Sequence, residues 1–199
     1  MRIVDWVVVI VAVVVFAFFY STSRIEEEWA DKSDRVSNTI TRELADKLYN
    51  ERELLLIGTG GGIRDTVHKL NLGFNYYHEV SLEEARELIV YVVSTCLSEI
   101  NTHTEWSPYF SEYPVTAKTL DISIYVKKSD QTRFSLEAIN GISAIEGAVE
   151  YKIILPGIAP IQSVHKETYR EALAIVCSQG KGPSKAECGV YSGQVGKRD

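Results

Sequence analysis

Cysteine is scarce in this chain of 199 residues: Cys96, Cys177 and Cys188 are the only three. They form no Cys-x-x-Cys, and three so widely spaced thiols cannot staple a small disulfide scaffold. Whether Cys177 and Cys188 pair, as an oxidising compartment would allow, is left open by the spacing, and Cys96 reads as a small buried hydrophobe. Positive charge is thin as well, with 21 Lys and Arg against 27 Asp and Glu and a net charge of −6. The basic residues come at most as pairs, Lys127-Lys128 and Lys197-Arg198. Nothing resembles the clustered patch that displaces counterions from nucleic acid, so a nucleic-acid partner is not expected.

The four histidines, His68, His78, His103 and His165, are scattered. His78-Glu79 begins like a zinc-protease helix, but Leu82 stands where the second imidazole is needed; His103-Thr104-Glu105 resembles half of a deaminase site without the Pro-Cys-x-x-Cys that completes it. No Gly-x-Ser-x-Gly elbow occurs. Gly58-Thr59-Gly60-Gly61-Gly62-Ile63 fails as a dinucleotide fingerprint, because Ile63 or Asp65 occupies the third glycine position, and no Gly-Lys-Ser/Thr follows for a P-loop. It reads as a joint. Cys96 falls on an apolar helical stripe, where burial makes a thiol inert, so a Cys–His nucleophile pair has little support. No catalytic residue, cofactor or metal site is assigned.

What the chain does have is an apolar run without a break from Trp6 to Tyr20. Counted from Ile3, the segment would rise roughly 27 Å as a helix, about the thickness of a bilayer's hydrocarbon core. A cleaved signal peptide is the rival reading, since Ser21-Thr22-Ser23 offers small residues, but the run is long for one and ends in bulky Phe18, Phe19 and Tyr20. The expectation is a retained transmembrane signal anchor over 1–23, in a bacterial inner membrane, with the soluble domain exported.

From Arg24 to Ile57, Ile25, Trp29, Val36, Ile40, Leu44, Leu48 and Leu55 predict one amphipathic helix ending near Gly58. A short helix is expected over Ile63 to Leu70. Ser81-Leu82-Glu83-Glu84 is a capping box opening the strongest helix, whose stripe runs through Ala85, Leu88, Ile89, Val92 and Cys96. Strict alternation over Leu120–Val126 predicts a strand. Phe134, Leu136 and Ala138 suggest a second, and Val149, Tyr151, Ile153 and Leu155 a third after Asn140-Gly141. Ser163 is expected to cap a last helix through Val176. The fold class is therefore α+β: N-terminal transmembrane helix, long amphipathic helix over 24–57, then a two-layer domain over 58–178 with a three-stranded antiparallel sheet covered by helices, and a flexible tail over 179–199.

Aromatic residues held by prolines supply contact area at low entropic cost, which makes Trp106, Tyr109, Phe110 and Tyr113 the candidate interaction loop. Thr59-Gly60-Gly61-Gly62, Asn75-Tyr76-Tyr77-His78, Glu84-Ala85-Arg86-Glu87-Leu88, Ile100-Asn101, Pro108-Tyr109 and Tyr113-Pro114 together resemble an uncharacterised family of small membrane-anchored proteins of intracellular bacteria, across residues 54–126. That resemblance implies a bacterial membrane location and no known activity. The function expected is a non-enzymatic protein-interaction or envelope structural module, anchored through Ile3 to Tyr20 and meeting a protein partner or a second copy of itself. The alternative is a membrane-tethered hydrolase or small-ligand sensor with a cleft near Gly60–Gly62 and the Trp106–Pro114 loop.

Overall fold

The computed structural model describes residues 3–63, 66–155, 161–184 and 188–189, and in the first helix the side chains at 15, 16, 28 and from 31 onward. The chain runs α1 (Ile3–Arg52), β1 (Leu55–Ile63), β2 (Val67–Tyr76), α2 (Leu82–Thr102), a short 3-10 helix (Thr104–Tyr109), β3 (Leu120–Val126), β4 (Gly141–Ile145), β5 (Ala148–Ile154), β6 (Ile161–Thr168) and α3 (Tyr169–Ser178). The six strands form one sheet in sequence order. All neighbours are antiparallel except β2 and β3, which run parallel from Leu70↔Leu120 to Tyr76↔Val126. A parallel pair cannot be closed by a hairpin, so the chain crosses over between them through α2.

This corrects the expected three-stranded antiparallel sheet: β3, β4 and β5 are such a set, but β1, β2 and β6 extend it to a six-stranded mixed sheet. The N-terminal part is corrected too. A separate anchor followed by an amphipathic helix is replaced by one helix without a break from Ile3 to Arg52. Among the described residues no helix is long and apolar enough to cross a membrane, and most side chains of Ile3 to Tyr20 lie outside them.

On α1 the buried positions Ser33, Ser37, Ile40, Thr41, Leu44 and Leu48 recur at three and four residues, the spacing of one helical face. The helix stops at Arg52 because Glu53 turns left-handed (φ 57°), with its N–H donating to the Tyr49 carbonyl at 2.9 Å. Gly58 therefore does not end the helix. It lies in β1 opposite Gly73, and Gly60, Gly61 and Gly62 pair with Asn71, Leu70 and Lys69. The expected joint is a strand, and the described part of the expected helix over Ile63 to Leu70 holds the last residue of β1 and the first four of β2, Val67 to Leu70; residues 64 and 65 lie outside the described residues. The three-residue step from Val67 to Leu70 mimics a helix, yet Leu70, Leu72 and Phe74 then alternate into the core.

The Ser81 capping box opens α2 as expected: the Glu84 N–H donates to Ser81 Oγ at 3.3 Å and the Ser81 N–H to Glu84 Oε2 at 2.8 Å. Leu88, Val92 and Cys96 are buried in the same core as Ile122 and Ile124 of β3. Phe134 to Ala138 forms no strand. Asn140-Gly141 is not a break either, because the hairpin turn falls at Glu146-Gly147, both left-handed (φ 53° and 80°), the two-residue turn whose twist suits an antiparallel pair. Ser163 lies within β6, and the cap is Thr168: Lys166 stands three residues after Ser163, whereas Glu171 stands three after Thr168 and returns its carboxylate to the Thr168 N–H at 2.8 Å.

One glycine in β1 is there because nothing else fits. A Cβ at Gly61 would run into the Lys69 backbone carbonyl, while one at Gly58 would meet nothing within 4 Å. Gly61→Ala should therefore cost about 1–3 kcal/mol, the scale of forced overpacking, and Gly58→Ala should stay within about 0.5 kcal/mol. Urea denaturation of the two variants checks this; equal stabilities would contradict the pairing of β1 with β2.

Candidate functional site

The expected interaction loop is mostly built into the fold. Trp106 is 8% exposed and Phe110 6%, and Tyr109 and Tyr113 are half-buried. The Ser111 N–H donates to the Val67 carbonyl at 3.1 Å, and the Tyr113 hydroxyl to the Asn101 carbonyl at 3.0 Å. Asn101 also clasps Val115 twice, accepting its N–H at 2.8 Å and donating to its carbonyl at 3.0 Å. With two rings inside and their neighbours tied to α2 and β2, the loop closes one end of the core.

That closure brings together side chains distant in sequence. His103, the C-terminal cap of α2, stacks on Trp106 with ring centroids 4.0 Å apart and planes at 17°. Its Nδ1 lies 2.8 Å from Glu105 and its Nε2 3.6 Å from Glu99 Oε1. Glu43, from α1, completes a group in which one ligand atom from each of Glu43, Glu99 and His103 lies within 4.8 Å of the others. The hydrogen bond to Glu105 holds the His103 pKa above its ordinary value, with the Glu105, Glu99 and Glu43 charges acting the same way. These three are the residues among those described that could hold a metal, and residue spacing gave no sign of it because Glu43 comes from another helix.

Beside this group lies a polar groove of about 830 Å³ between α1, α2 and residues 181–184, lined among others by Lys47, Arg52, Tyr91, Glu99, Asn101 and Lys181. The groove is stitched by its own walls: Arg52 lies 4.5 Å above the Tyr91 ring, the Tyr91 hydroxyl donates to Glu51, and Lys181 pairs with Glu87. Cys177 and Cys188 form a disulfide that fastens this C-terminal segment next to α2. Cys96, the free thiol, is buried and pushed up to about 12 by burial, far from the range in which a thiolate could attack.

A second polar cluster is wholly internal. Arg86 Nε donates to Glu167 Oε1 at 2.8 Å, and the Tyr151 hydroxyl donates to the same oxygen at 2.6 Å. The side chains of Arg86 and Glu167 are 11% and 5% exposed. Burial first, and the Glu167 hydrogen bond second, raise the Tyr151 pKa, so its phenol stays a donor. The cluster bolts α2 to β5 and β6. Removing one partner of such a pair would cost about 3–5 kcal/mol.

The two edges of the sheet differ in chemistry. β6 carries His165, Lys166 and Glu167, charges of the kind that discourage further pairing. β1, Leu-Leu-Ile-Gly-Thr-Gly-Gly-Gly-Ile, has no charge and no proline. Ile57 to Gly62 are all exposed, Ile57 by 50%, and Leu55 before them by 41%. Among the described residues the strand pairs on one side only. On its other side no described strand takes up the backbone N–H and C=O groups.

No family model, no curated protein and no solved structure matches this chain.

The thiols give a direct check. Iodoacetamide should label no cysteine in the native protein and one, Cys96, in urea without reductant, as read by mass. More than one label in urea would contradict the Cys177–Cys188 bridge, and labelling of the native protein would contradict the burial of Cys96.

Proposed function

We propose that this chain is a non-enzymatic interaction module that takes an extended segment of a partner protein onto the free edge of β1, while its apolar N-terminal segment, Ile3 to Tyr20, holds it at a membrane. The observation that carries the reading is the nine-residue uncharged edge. An unguarded edge offers main-chain hydrogen bonds to an added strand, and the vacant space above Gly58 gives a partner's large side chain somewhere to rest. A second copy of the chain is a poorer occupant: residues 58–62 laid against themselves bring almost no side chain to the contact, so little apolar surface is buried.

The sulfur chemistry bears on the domain's side of the membrane. A disulfide persists in oxidising compartments, so Cys177–Cys188 supports an exported domain.

One experiment tests both halves. The full chain, mixed with phosphatidylcholine vesicles, should float with them, and the coated vesicles should enrich extended peptides with bulky apolar residues at alternate positions from a random linear library. Gly58→Lys, which has open space for its side chain, should weaken binding of those peptides at least tenfold, whereas Lys166→Ala on the opposite edge should leave it unchanged. Failure to float contradicts the membrane reading. Peptides bound equally by Gly58→Lys, or none enriched, contradict strand addition.

A further inference from the structure

We propose that Glu43, Glu99 and His103 bind a divalent transition-metal ion of the Zn²⁺ class, which clamps α1 to the C-terminal end of α2. Glu99 and His103 are four residues apart, so one turn of α2 places them on the same face. His103 has one nitrogen engaged, Nδ1 by Glu105 at 2.8 Å, and the other, Nε2, aimed at Glu99 Oε1 at 3.6 Å. Glu99 is divided in the same manner, its Oε2 lying 3.4 Å from Lys47 Nζ and its Oε1 facing the imidazole. His103 and Glu99 thus each keep an outer partner on the atom that points away, the arrangement that fixes tautomer and orientation in metal sites. Stacking on Trp106 removes the remaining freedom of the His103 ring.

The spacing fits a small ion after modest adjustment. Donors at 2.0–2.2 Å from a tetrahedral ion stand about 3.4 Å apart. His103 and Glu99 already meet that distance; Glu43, exposed on α1, closes the rest by side-chain rotation. One imidazole and two carboxylates favour Zn²⁺ over Mg²⁺, which prefers oxygen donors in an octahedron and releases water reluctantly. The site would hold three protein ligands and leave the remaining position to water.

The consequence is a staple between the long helix and the domain, so ion binding should appear as stability of the folded state. With ZnCl₂ at roughly a hundredfold excess over its dissociation constant, thermal unfolding of the full chain followed by circular dichroism should shift upward by about 5 °C or more. MgCl₂ at the same concentration should give no comparable shift. His103→Gln and Glu43→Gln should each abolish the Zn²⁺ shift while unfolding like the parent in the absence of metal. Glu105→Gln should weaken Zn²⁺ affinity about tenfold in isothermal titration, acting through the orientation of His103. Should His103→Gln fold poorly, Glu43→Gln, altered only at an exposed side chain, still decides the matter. No Zn²⁺ shift, an equal Mg²⁺ shift, or a Zn²⁺ shift that survives in Glu43→Gln would overturn the assignment.

Discussion

The parallel pairing of β2 with β3 is the constraint on which the rest of this fold depends. Two parallel neighbours need a crossover, and here the crossover is a 21-residue helix whose Ala85, Ile89, Val92, Val93, Cys96 and Ile100 are buried. α2 packs against β4, α1 against β1 and β2, and α3 against β5 and β6, and the buried residues of all three helices join one core with those of the sheet. The other side of the sheet carries a row of small and polar residues, Gly58, Gly73, Ser123, Ser143, Glu150 and Lys166, straight across from edge to edge, beside the exposed Tyr125 and Ile145. Apolar burial on one face thus decides which surfaces remain for recognition: the opposite face, a charged edge and an uncharged edge.

Polar groups inside this arrangement fix angles that apolar contact leaves loose. Arg86, Glu167 and Tyr151 join α2 to the last two strands through hydrogen bonds of defined direction, and Asn101 ties the end of α2 to the start of the β3 segment. Both devices are short of water, so neither is easily exchanged for a hydrated alternative. The same closure at the end of α2 seats His103 against Trp106 and sets the carboxylates around it. A packing requirement and a candidate ligand set therefore share one set of residues.

What the sequence made legible was whatever carries its own period. The capping box at Ser81, the stripe through Leu88, Val92 and Cys96, and the alternation of Leu120–Val126 each announce an element through local physics, and each is present. β1 and β2 were illegible for a local reason: glycines have no side chain with which to show a period, and Val67 and Leu70 imitate a helical step. Gly60–Gly62 read as a joint because the start of their partner strand, Val67 to Leu70, carries a helical step. β6 was hidden because its inward positions His165 and Glu167 are polar, which erases the contrast between faces. The aromatic loop was visible as a cluster, but only packing shows that Trp106 and Phe110 point inward. Glu43 and His103 stand sixty residues apart in the chain, so spacing gives no sign that they meet in space, and β1's edge can be recognised only once its pairing is known.

The central claim is that β1 is structured as a strand yet open on one side. Hydrogen exchange of the full chain, resolved to single backbone amides, tests it most directly. In β3, paired on both sides, amides across Leu120–Val126 should exchange slowly throughout, whereas in β1 slow and fast amides should alternate between those bonded to β2 and those facing outward. Uniformly slow exchange in β1 would mean that its outer edge is already covered, and uniformly fast exchange would mean that it is no strand; either result would contradict the account.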